Sequence, residues 1–192
     1  MMHSKHRALQ VLFLFILITR MAPVIATFLG IDSFQSGGAD PLLYLGGARS
    51  ILSTGVNPFN FFSPVYFYFV AACLYLGRGH AIVAIGATAL VGWLTVIGIY
   101  QLSKKLFNEE TAFLAALLTG IYPNLIYFGA NLFPETLTIF WIVFSFFMLI
   151  EYIHTSQKYY LLLSGILWGL ASQSRGRVPF FLDLHCSRYF AT

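Results

Sequence analysis

The sequence predicts an all-α, polytopic membrane protein of about five transmembrane helices, with a structured external loop after the first. Three observations lead there. Of the 192 residues, 58% are hydrophobic and 9% charged, whereas a soluble domain carries about 25% charged residues. Uncharged or nearly uncharged runs of span length recur along the chain, each of about 20 residues as a bilayer core demands. Finally, the 11 Lys and Arg that outweigh 7 Asp and Glu, for a net charge of +4, are scattered at the ends of those runs. Scatter of that kind sets membrane orientation and argues against nucleic acid as a partner.

The first run covers residues 9–28 and follows Lys5 and Arg7; only Arg20 and Pro23 interrupt it. A cleaved signal peptide ending near Ala26 is the competing reading, but the apolar stretch is longer than such a peptide's core and more spans follow. Residues 30–63 form the one extended polar region, with two aspartates, the Gly37-Gly38 pair and the Asn57-Pro58 turn signal. Residues 64–76 are apolar, yet 13 residues of helix reach only about 20 Å of a roughly 30 Å core. They read as a juxtamembrane helix lying along the external interface. Residues 81–102 carry no charge and are followed directly by Lys104 and Lys105, which the positive-inside rule places in the cytoplasm. Residues 111–128 then return outward and 136–152 come back. Lys158 marks a cytoplasmic turn, and 159–174 head out again. In this topology the polar loop and the short turn holding Glu135 share the external face. Residues 1–175 read as one membrane module. Past Arg175 the span-like character is lost, with Asp183, His185, Cys186 and Arg188 close together, so residues 176–192 read as the tail of a truncated or frame-shifted product. Two cysteines, Cys73 and Cys186, make neither a disulfide framework nor a metal-ligand spacing.

Asp40 followed by Pro41 is a standard helix start, and on a helix begun there Tyr44 and Ala48 share the carboxylate's face. A helix cap explains Asp40 without function; a general base toward a hydroxyl or amine explains it with one. Glu135, just after the chain-breaking Pro134, favours a helix N-terminus by itself, and could equally hold an acceptor group, a metal or a basic partner. Arg78, Arg175 and Arg177 fall outside against the charge bias, as snorkelling anchors or as phosphate ligands. Arg20 lies about mid-span, where an ionisable group is costly unless paired; a salt bridge to Asp32 or Glu135 would be a stretch, and the pattern names no partner. The aromatic cluster from Phe59 to Phe69 reads first as interfacial anchoring.

Taken together, these positions resemble the C-type glycosyltransferase superfamily, in particular the bacterial branch related to protein O-mannosyltransferases and lipid A aminoarabinose transferases. Asp40, Tyr44, Ala48 and Arg49 carry the resemblance in the first external loop. It continues through Pro64-Val65-Tyr66 to Leu76-Gly77, residues 102–107, 115–123, Glu135-Thr136-Leu137, and the stretch Gly165-Ile-Leu-Trp-Gly-Leu-Ala-Ser-Gln-Ser-Arg175. The resemblance implies an inverting transfer of a hexosyl or pentosyl group from a polyprenyl-phosphate sugar donor to a lipid, glycan or protein acceptor, on the external face of a bacterial plasma membrane. It implies Asp40 as the catalytic base. Tyr44, Arg49, Glu135 and Arg175 would be substrate-binding, Glu135 beside the acceptor or a metal and Arg175 near the lipid phosphate. No organic cofactor is implied; a divalent metal at Asp40 and Glu135 stays open. The superfamily's chains are far longer, so the 192-residue chain is expected to be inactive by itself. A small transporter or flippase subunit, with Arg20 and Glu135 in contact with substrate inside the membrane, is the alternative from another class. A membrane partner without any site would leave the polar loop unexplained.

Overall fold

A computed structural model describes residues 2–30, 39–59, 62 and 64–175. Asp32, the Gly37-Gly38 pair, Phe61, Arg177 and the rest of the 176–192 tail, all singled out from the sequence, lie outside them. The described residues form eight helices: α1 (Met2–Phe28), α2 (Ala39–Thr54), α3 (Pro64–Leu76), α4 (Ala81–Leu106), α5 (Glu109–Ile121), α6 (Pro123–Ala130), α7 (Pro134–Thr155) and α8 (Lys158–Ser174). No strand occurs among the described residues.

Three helices, α1, α4 and α7, are each long and apolar enough to cross a membrane. The protein is an integral membrane protein. Where residues 111–128 read as one unbroken span, the chain forms α5 and α6, bent by 56° relative to each other, a pair that is long and apolar enough to be one broken span or a re-entrant loop. The reason is Pro123, which has no N–H to donate to the carbonyl four residues earlier and crowds the preceding turn. The fifth expected span, α8, has 17 residues, about 26 Å of helix, just short of the usual length. The α3 helix, at 13 residues, is too short to cross, as its sequence indicates.

The central helix is α4, which touches α1, α3, α5, α6 and α7. Its two threonine hydroxyls nearest the centre are satisfied within the helix, Thr88 donating to the Ala84 carbonyl at 2.9 Å and Thr95 to Val91 at 2.8 Å, as lipid-embedded helices require. Small residues let neighbours approach: a Cβ on Gly98 would stand 3.0 Å from both Val143 and Phe144 of α7. On α1 the buried residues Leu12, Ile16, Arg20 and Val24 recur every fourth place and make the inward stripe, while Val11, Leu14, Ile18 and Ile25 are exposed. With lipid as the solvent, those exposed apolar side chains are on the favourable side.

The two polar ends of the fold are marked on α7. Near its end, Glu151 accepts Lys105 of α4 at 2.7 Å, and Lys104 pairs with Glu109 at 3.6 Å. Glu135 in its first turn pairs with Arg175 at 3.0 Å. The two acidic residues are about 24 Å apart along the helix, with apolar sequence between them. Inside, α7 and α8 are joined by reciprocal bonds: Ser145 donates to the Ser164 carbonyl at 2.9 Å and Ser164 to the Ser145 carbonyl at 3.0 Å.

Candidate functional site

Four of the five residues singled out from the sequence converge at the Glu135 end. Asp40 is in the first turn of α2, which begins one residue earlier at Ala39, so it sits at the positive end of the helix dipole rather than before it. Its side chain is exposed. One turn on, Tyr44 is 8% exposed and wedged among aromatic rings, 4.9 Å from Tyr66 edge-on, 5.0 Å from Phe67 and 6.2 Å from Phe62. The Tyr44 phenol is pushed up to about 12, first by burial and then by the Glu135 and Asp40 carboxylates, with the Arg175 guanidinium acting in the opposite direction. One phenol thus feels both acids and the arginine, and an unionised hydroxyl stands among them at neutral pH.

Glu135 comes to this place because Pro134 opens α7, a position suited to proline, where no N–H is required. Oε1 of Glu135 takes the ion pair with Nη1 of Arg175, whose side chain is 46% exposed against 17% for the glutamate. Oε2 is buried with no hydrogen-bond partner among the described residues. The carboxylate is fixed through Oε1 alone, its desolvated Oε2 being a cost without a partner, and the arginine keeps an open side toward solvent. Arg175 lies just past α8, which packs on α3 as well as α7, so α8 carries the cation over to the α2–α3 aromatic cluster.

Arg49 is exposed and in no ion pair among the described residues. Tyr66 and Phe67 are wholly buried, which makes them core rather than the interfacial anchors their cluster suggested, while Tyr68, 55% exposed, keeps that role open. No group of three His, Cys, Asp or Glu side chains able to hold a metal ion occurs among the described residues.

A family model described as dolichyl-phosphate-mannose-protein mannosyltransferase matches residues 61–182, well over half of the chain. The chain belongs to that family. It is thereby a member of the glycosyltransferases that work with polyprenyl-phosphate sugar donors and lipid or protein acceptors. No curated protein matches the chain, and no solved structure does. Within the mannosyltransferase match lie Glu135 and Arg175; Asp40, Tyr44 and Arg49 precede it. Tyr44, whose phenol feels Asp40 on one hand and Glu135 and Arg175 on the other, is the residue that relates the preceding segment to the two matched residues.

Sequence reasoning left Arg20 without a partner, and the fold supplies one. Arg20 is 3% exposed; Nη1 donates to the Leu125 carbonyl at 3.1 Å and Nη2 to the Thr119 carbonyl at 3.3 Å. Thr119 is four residues before Pro123, so its carbonyl is the one the proline leaves without a helical donor. The signals were present in the chain, an arginine on the every-fourth-residue inward stripe and a proline inside a span, but their meeting needs the tertiary fold.

Proposed function

We propose that the chain carries the acceptor-activating side of a sugar transferase on the external membrane face. Asp40 removes the proton from an acceptor hydroxyl as that oxygen attacks the anomeric carbon. The bond from that carbon to the phosphate oxygen breaks on the opposite face, its electron pair leaving with the polyprenyl phosphate, and the configuration inverts. Arg175 meets the phosphate with its solvent-side nitrogens, a fit of guanidinium to oxyanion, while Glu135 holds its orientation and Tyr44 offers a neutral hydroxyl to the sugar or acceptor. The observation that carries this reading is that the Tyr44 phenol feels Asp40 together with the Glu135–Arg175 pair, two residues inside the family match.

Two experiments test it. Replacing Arg175 by Gln removes a charged donor to phosphate, an interaction worth about 1.5–3 kcal/mol, so KM for the polyprenyl-phosphate sugar should rise roughly 10- to 100-fold. An unchanged donor KM would remove Arg175 from the donor site. For the face, single cysteines are introduced after replacing Cys73 and Cys186. Asp40→Cys should react with a membrane-impermeant maleimide in intact cells and Lys104→Cys only after lysis. Reaction of Lys104→Cys in intact cells would invert the topology.

A further inference from the structure

The guanidinium of Arg20 makes two of its contacts through its terminal nitrogens, and its third kind of donor, Nε, is buried without a partner among the described residues. The Thr136 hydroxyl is likewise buried and unpartnered. Both residues line one cavity of about 10 Å³, together with Gly92, Thr95, Thr119 and Leu125. That is room for about one water on the measure by which a water needs roughly 10–15 Å³, and too little for a phosphate or a sugar ring. The partners a water needs are there. Arg20 Nε–H donates, the Thr136 hydroxyl donates or accepts, and Thr95, whose proton goes to the Val91 carbonyl, keeps lone pairs. Space for the guanidinium itself comes from Gly92, where a Cβ would stand 2.6 Å from Arg20 Nη1.

We propose that a single water molecule bound between Arg20 Nε and the Thr136 hydroxyl completes a link from α1 through the bent α5–α6 pair to the start of α7, making Arg20 a positioning residue for Glu135. Thr136 follows Glu135 in the first turn of α7, so whatever holds the threonine sets the direction of the glutamate toward Arg175. The cation, two peptide carbonyls and one water thus tie α1, α5, α6 and α7 together at a residue that is 3% exposed and in no ion pair among the described residues. The role assigned to Glu135 rests on the proposed function; the water and the link do not.

The test uses the full chain, labelled with ¹⁵N-arginine, in detergent micelles. The Arg20 Nε–H should show a nuclear Overhauser effect at the water frequency together with slow exchange against bulk solvent. Thr136→Val should abolish that contact and Thr136→Ser should preserve it. An Nε–H without a water contact in the parent chain, or a contact that survives in Thr136→Val, overturns the bound water. For positioning, exchange of the Arg175 guanidinium protons is followed in Arg20→Lys, which keeps the charge but cannot reach both carbonyls and the water. Several-fold faster exchange at Arg175, with helix content unchanged, is the expected result. Unaltered exchange in Arg20→Lys would refute the link to Glu135. Neither readout depends on sugar transfer, so failure of the proposed function would leave these results standing.

Discussion

Asp40→Asn is expected to lower sugar transfer by 10²- to 10⁴-fold, the usual worth of general-base catalysis and about 3–5 kcal/mol of barrier. The substitution keeps the size and one carbonyl oxygen of the side chain, and removes its ability to take a proton. Stability should change little. Asp40 is exposed in the first turn of α2, where the charge contributes about 0.3–1 kcal/mol against the helix dipole. That separation of magnitudes decides between a base and a helix-start residue. Transfer is measured in membranes with a polyprenyl-phosphate sugar donor, in whichever length of the chain is active, with expression and insertion checked in parallel. Activity within a few-fold of the parent would leave Asp40 with its helix alone.

The second large effect concerns two adjacent glycines of α2, whose replacement by Ala should move stability in opposite directions. Around Gly46 nothing lies within 4 Å of an added Cβ. Gly46→Ala therefore receives the helix-propensity gain of about 1 kcal/mol unopposed. At Gly47 the added methyl would land on the Phe67 ring and lie 3.1 Å from Phe59 Cδ2. The Phe67 ring cannot swing aside, since it is wholly buried, stacked on Phe59 at 5.9 Å and set against Tyr44 at 5.0 Å. Overpacking of this kind costs about 1–3 kcal/mol, enough to outweigh the same propensity gain. Gly47→Ala should also depress transfer, because the displaced ring supports Tyr44 and, through α2, the placement of Asp40. Thermal unfolding of both variants in micelles checks the signs. Equal shifts in the two would mean that α2 and α3 do not pack as closely as their rings indicate.

Much of the architecture was legible along the chain because lipid imposes simple one-dimensional rules. Length and apolar character marked α1, α4 and α7, the shortness of residues 64–76 kept α3 out of the candidate spans, and Pro134 marked the start of α7. What went unread has a common cause. A broken span shows the same average hydropathy as a straight one, and only the local loss of one N–H at Pro123 separates α5 from α6. The site divides in the same way. Asp40 and Tyr44 share a helix face by spacing alone, and Glu135 is conspicuous as an acid between apolar runs.

By itself the sequence determined that this is a helical membrane protein, which helices could cross, and that acids and arginines gather at span ends, because each follows from composition and spacing within one segment. Only the tertiary structure decided which charge meets which. Arg175 found Glu135, Lys105 found Glu151, and Arg20 found the carbonyls of Thr119 and Leu125. Residues far apart in the chain, 99 and 105 positions in the case of Arg20, come together through the packing of the helices, and helical periodicity carries no record of which faces will be neighbours. In a bilayer, where a buried charge must find a partner within the protein, that pairing gives Arg20 its place.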